Sequence, residues 1–182
     1  MMDKKETLLI EFERIEMNAA TCKFAHFKSS SSKQNLTLIL GVPVVIINVF
    51  IGSTLIKSLG DYSGTIISVL SLLAATLAGV QTYLSYQKKS MLHIEVGNLY
   101  SDIERESRIS KGKIKADVMS IEEGWASVSA LESKYSEANK KAQECPISDS
   151  ALSGARNKFH SLKKANKSNQ RAKQGCASAK GS

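Results

Sequence analysis

Two stretches decide the fold: LTLILGVPVVIINVFIGSTLI, residues 36–56, and TIISVLSLLAATLAGVQTYLSYQ, residues 65–87. No charged side chain occurs between Lys33 and Lys57, and none between Asp61 and Lys88. At roughly 1.5 Å rise per residue the first stretch is about 32 Å long, enough to cross a hydrocarbon core of about 30 Å. The second is also long enough. A lone core helix is usually shorter and flanked by other apolar elements, whereas the rest of this chain offers only narrow apolar stripes. The pair reads as two membrane spans. The link KSLGDYSG, residues 57–64, is short, so the spans must run antiparallel.

Basic residues set the expected orientation. Lys23, Lys28 and Lys33 precede the first span, Lys88 and Lys89 follow the second, and the turn holds Lys57 with Asp61 close by. The positive-inside bias places both termini in the cytoplasm. Tyr83 and Tyr86 fall where the second span meets the interface. The first 32 residues are charged and the first apolar run is long and late, so a cleaved leader is not expected and the first span acts as its own insertion signal.

Each span carries a second pattern. Thr37, Gly41, Asn48 and Gly52 fall in one arc of the first, with Pro43 opposite, where it can bend the helix. Small residues let another helix approach closely, and an amide inside a span needs a partner or water. In the second span Ser68, Ser71, Ala75, Gly79 and Thr82 share one face. Ile66, Val69, Leu70, Leu73, Leu77, Val80 and Leu84 share the other, which has the character of a lipid-facing wall. The small face is either a close-packing seam or the lining of a narrow pore. Gln81, at the boundary, suits either role.

Outside the spans the chain is charged and periodic. Residues 3–28 read as an amphipathic helix, with Leu8, Phe12, Ile15, Ala19 and Cys22 at helical spacing and Asp3 as its cap. Ser29 to Ser32 read as a flexible joint. After the second span, Leu92, Val96, Leu99 and Ile103 form one near-heptad run. Ile114, Val118, Ile121, Trp125 and Val128 form another, beyond a junction near Ser110–Gly112. Such spacing suits coiled coils, so these nine residues are candidates for oligomerisation. Pro146 ends the regular part. Leu152, Ala155, Phe159 and Leu162 then suggest a short basic helix able to lie on anionic lipid, in a tail that otherwise reads as disordered.

The domain plan is a helix with a serine linker over 1–32 and a transmembrane hairpin over 33–89, with spans at about 36–56 and 63–86. A cytoplasmic helical region over 90–145 and a basic tail over 146–182 complete it. The fold class is an all-α membrane protein, expected to be oligomeric.

The net charge of +8 is uneven. Residues 147–182 hold eight cations against Asp149 alone, giving +7 and leaving about +1 for the remainder. Only Phe159 interleaves with the tail's lysines, so nucleic acid is the weakest candidate partner. Cys22, Cys145 and Cys176 are far apart and read as isolated thiols. His26, His93 and His160 read as solitary, and Glu104, Arg105, Glu106, Glu122 and Glu123 as solvated helix faces. No HExxH, GxSxG or glycine-rich phosphate loop is present. No catalytic, cofactor or metal site is expected, and no enzymatic activity.

The order of elements, with YLSYQKKSMLHIEVGNLYSDIERESRIS over 83–110, resembles the SLATT family of bacterial two-span membrane proteins. The likeness covers roughly residues 5–145 and rests on layout and a loose motif around His93, Tyr100 and Ile103. It implies an inner-membrane effector of antiphage defence that perforates or depolarises the membrane, triggered through a nucleotide-signalling or sensing partner. The family is defined by architecture, so the likeness carries over no active site. The alternative is a non-conducting anchor that presents a coiled-coil platform to a soluble partner.

Overall fold

The computed structural model describes residues 3–53, 60, 62–159 and 161. Four long helices account for most of them: α1 (Lys4–Gly52), α2 (Ser63–Leu84), α3 (Tyr86–Lys115) and α4 (Ile121–Ala142). A further helix covers 149–159, and no strand occurs among the described residues. The chain divides into two compact units, Ser30–Leu92 and Met1–Ser29 with His93–Ser182.

The unit Ser30–Leu92 is an antiparallel helix pair. Ser30 Oγ lies 2.8 Å from Ser90 Oγ, Lys33 sits over the Tyr86 ring, and a Cβ on Gly41 would stand 3.3 Å from Gln81 Nε2. Residue numbers rise on one helix as they fall on the other. The link expected to join the spans lies largely outside the described residues. Both helices contain a window long and apolar enough to cross a membrane; the share of that window buried is 0% in α1 and 6% in the rod beginning at Ser63. A core helix of a water-soluble domain would be mostly covered.

The serine run is not a joint. α1 passes unbroken through Ser29–Ser32, and Ser30 is buried against Ser90. Serine is an indifferent helix former when isolated, but small side chains allow two helices to close up, and packing outweighs propensity. Between α2 and α3, Ser85 takes a left-handed conformation (φ 46°, ψ 39°). Its N–H bonds to Gln81 O and its hydroxyl donates to Thr82 O. Only a tight local constraint holds a non-glycine residue there, at a cost of about 1–2 kcal/mol.

The second unit is a helical bundle. Asp3 caps α1, its Oδ1 accepting from Lys5 N at 3.4 Å. The stripe Leu8, Phe12, Ile15 and Ala19 is fully buried, so the N-terminal helix packs rather than merely solubilises. It meets Val96, Tyr100, Ile103 and Ile114 of α3 and Val128, Leu131 and Ala138 of α4 in one core. Of the residues expected as solvated faces, Arg105, Glu122 and Glu123 are exposed, whereas Glu104 and Glu106, like other acidic residues, staple helices together. Glu104 pairs with Lys23, Glu16 with Lys111, Glu132 with Arg14 at 2.6 Å and Glu106 with Lys134 at 2.6 Å.

The expected junction at Ser110–Gly112 is helical too, and α3 ends later. Asp117 is left-handed (φ 54°), Asp117 N bonds to Ile114 O at 3.3 Å and Val118 N to Lys113 O at 2.9 Å. This is a Schellman stop with aspartate in the glycine position. Ser120 restarts the chain with a capping box: its Oγ accepts from Glu123 N at 3.2 Å and its N–H donates to Glu123 Oε2 at 2.9 Å. The helix over 149–159 packs on α1, with Ala155 buried and Phe159 edge-on to Phe24 at 6.3 Å. That contact, rather than lipid, takes up its apolar side; Leu162 lies outside the described residues.

Candidate functional site

The span faces sort differently from the expectation. α2 packs on α1 through Ile66, Leu70, Ala74, Leu77, Gln81 and Leu84, all wholly or partly covered. Ile66, Leu70, Leu77 and Leu84 were expected to face lipid. The alternating three- and four-residue spacing is that of a left-handed helix pair, and apolar residues occupy the seam. Ser68, Ser71, Ala75, Gly79 and Thr82 are all exposed, and nothing lies within 4 Å of a Cβ built on Gly79.

On α1, Thr37 and Gly41 are half-buried in the seam, followed by Val44, Ile47 and Ile51. Asn48 stands one residue round from Ile47 and is exposed, as is Gly52. The expected four-residue face is therefore split.

The arm residues also divide. Val96, Ile103, Ile114 and Val128 are buried in the chain's own bundle and are not available to another copy. Leu92 and Ile121 are half-covered, while Leu99, Val118 and Trp125 are exposed, Val118 at 74%. The true inward line of α3 is Val96, Tyr100, Ile103, Ser107, Ser110 and Ile114, with serines filling core positions.

The solitary reading of His26, His93 and Cys145 is overturned; His160 and Cys176 lie outside the described residues. His26 from α1, His93 from α3 and Cys145 from the bend after α4 meet inside the bundle, all buried. His26 Nδ1 lies 3.1 Å from His93 Nδ1, and Cys145 Sγ lies 3.9 Å from His26 Nδ1. One ligand-type atom from each residue falls within 4.8 Å of the other two. His26 Nε2 is buried with no hydrogen-bond partner among the described residues.

The walls are aromatic and polar in turn. The His26 and Tyr100 rings lie 5.7 Å apart, Tyr100 is edge-on to Tyr135 at 5.5 Å, and Tyr100 OH donates to Asn139 Oδ1 at 2.6 Å. Cys22 Sγ stands 3.5 Å from Tyr135 OH. Cys22 and His26 are one turn apart on α1, and His93 and Tyr100 two turns apart on α3, which places each pair on its helix's inner face. Burial pushes the His26 imidazolium down to about 4, with the nearby His93 adding to the effect, so the ring is neutral at ordinary pH. Burial also raises the Cys145 thiol, with the Glu144 and Glu95 charges in support. Tyr100 is raised by burial as well.

A buried imidazole pair beside a thiol can share a proton or hold a soft or borderline cation. Sequence spacing hides this group, because its members come from three segments 52 to 119 residues apart. No protein-family model, curated protein or solved structure matches the chain.

Proposed function

We propose that the chain is an oligomeric membrane effector that disrupts the integrity of a bacterial inner membrane, in the manner that the SLATT resemblance implies. Two spans cannot enclose a water path alone, so several copies must meet. The observation that carries the reading is the exposed face Ser68–Ser71–Ala75–Gly79–Thr82. The seam takes Ile66, Leu70, Leu77 and Leu84 and leaves this small, weakly polar face outward, beside exposed Val69, Leu72 and Leu73. Asn48 points the same way, because an amide exposed in an apolar run is stabilised by a polar group on a neighbour. Antiphage defence and a nucleotide-signalling or sensing trigger rest on the resemblance alone.

The test is expression in bacteria with a potential-sensitive dye, with and without phage challenge. Loss of potential on challenge, suppressed by Gly79→Leu, supports the reading. An intact potential with normal growth contradicts it.

A second reading is a non-conducting anchor for a helical platform. It is favoured by the hydroxyls of α2, since Ser68 donates to Gly64 O at 2.9 Å, Thr76 to Leu72 O at 2.8 Å and Thr82 to Ala78 O at 2.9 Å. These groups are satisfied within their own helix and need no water. A challenge that leaves the potential intact selects this reading over the first.

A further inference from the structure

We propose that His26, His93 and Cys145 bind a zinc ion, which ties α1, α3 and the segment after α4 together inside the helical bundle. The donor set fits first. Two imidazole nitrogens and one thiolate suit zinc better than magnesium or calcium, which prefer oxygen. The bundle supplies them from three separate segments, so the ion would act as a cross-link.

Geometry fits next. Zinc binds imidazole nitrogen at about 2.0–2.1 Å and thiolate sulfur at about 2.3 Å, so tetrahedral ligands stand about 3.3 Å apart for two nitrogens and about 3.6 Å for nitrogen and sulfur. The separations here are 3.1 Å and 3.9 Å. The third pair, His93 and Cys145, lies within 4.8 Å, so side-chain shifts of up to about 1 Å complete the site. The fourth position is open to water or another small ligand, as in zinc centres with three protein ligands.

His26 and His93 are buried side by side, where two apolar rings would carry no polar atoms to satisfy. Binding an ion through the facing Nδ1 atoms gives the imidazoles a role there. His26 Nε2, buried without a partner among the described residues, lies outside the ligand set. The competing account is a pair of histidines sharing one proton with a bystander thiol.

The test uses the full-length chain, purified in detergent and stripped with a chelator. Zinc chloride alone is titrated against a chromophoric competitor, and cobalt(II) chloride is added to a parallel sample. The expected result is one equivalent of zinc per chain and a thiolate-to-cobalt charge-transfer band. Cys145→Ser abolishes the band and weakens zinc binding by more than about 100-fold, beyond the loss typical of removing a supporting group. His93→Asn weakens binding comparably, whereas Cys22→Ser leaves band and affinity unchanged. The far-ultraviolet helix signal of each variant shows that it has folded. If Cys145→Ser does not fold, alkylation of Cys145 in the Cys22→Ser, Cys176→Ser background provides the same readout: zinc protects the thiol if the proposal holds. Binding well below one equivalent, binding indifferent to Cys145→Ser and His93→Asn, or a thiol that zinc does not protect overturns the proposal.

Discussion

Ser107 Oγ donates to the backbone carbonyl of Phe12 at 2.7 Å, joining α3 to α1 across 95 residues of sequence. Ser107 is fully buried, so the hydroxyl does what an apolar side chain of the same size cannot. Ser107→Ala is expected to cost about 1 kcal/mol through the lost hydrogen bond. Ser107→Leu adds volume to a closed interface and costs about 1–3 kcal/mol. Chemical unfolding in detergent, followed by Trp125 fluorescence, measures both.

Glycine substitutions separate tight from open positions on neighbouring elements. A Cβ on Gly124 would collide with buried Leu8 and stand 3.0 Å from Ile114 Cδ1. Gly124→Ala therefore overpacks the core and destabilises by about 1–3 kcal/mol. Nothing lies within 4 Å of a Cβ on Gly112, which is exposed within α3. Gly112→Ala gains helix propensity and stabilises by about 0.5–1 kcal/mol. Opposite signs in the same unfolding assay are the expected outcome.

The α3–α4 reversal depends on its capping box. Ser120→Ala is expected to cost about 1 kcal/mol. The hydrogen bond from Ser120 N–H holds the Glu123 carboxyl below its usual range. A depressed carboxylate contributes stability that is present above the ordinary value of about 4.5 and is lost as pH falls through the folded value. Unfolding midpoints measured between neutral pH and pH 3 should show this part of the acid loss in the wild type. Glu123→Gln should lack it.

The exposed faces of the spans predict how copies meet. Gly79→Leu and Ser71→Leu place bulk where a second helix would approach, and Asn48→Leu removes the amide. Each should shift the mass of the detergent-solubilised protein toward the single chain. Val69→Ala, on an outward apolar position, should leave the mass unchanged. Mass photometry or light scattering reads the result; a constant multimer in all three would exclude these faces from assembly.

Much of the fold is legible in the sequence because the strongest physical signals are long. Two charge-free runs mark the apolar helices, and the stripe Leu8–Phe12–Ile15–Ala19 marks the packed side of the N-terminal helix. What misleads is serine. Ser29–Ser32 resemble a hinge and Ser110–Gly112 a junction, yet Ser30 and Ser110 are buried at helix contacts, as is Ser107. A hydroxyl that bonds across an interface reads as polar until its partner is in view. Taking Leu99 as the inward residue in place of Tyr100 follows from the same error. The S-x-x-E pattern at Ser120–Glu123 was a usable signal for the start of α4. The His26–His93–Cys145 group was not, since each ligand-type residue belongs to a different segment and only the bundle brings them together.

We propose that α2 and the apolar part of α1 beyond Lys33 lie in lipid. Alkaline carbonate washing of membranes from expressing cells tests it most directly, because it strips peripheral proteins and retains those whose helices cross the bilayer. The chain is expected to stay with the membrane pellet and to leave only on addition of detergent. Recovery of the folded chain in the carbonate supernatant would contradict it.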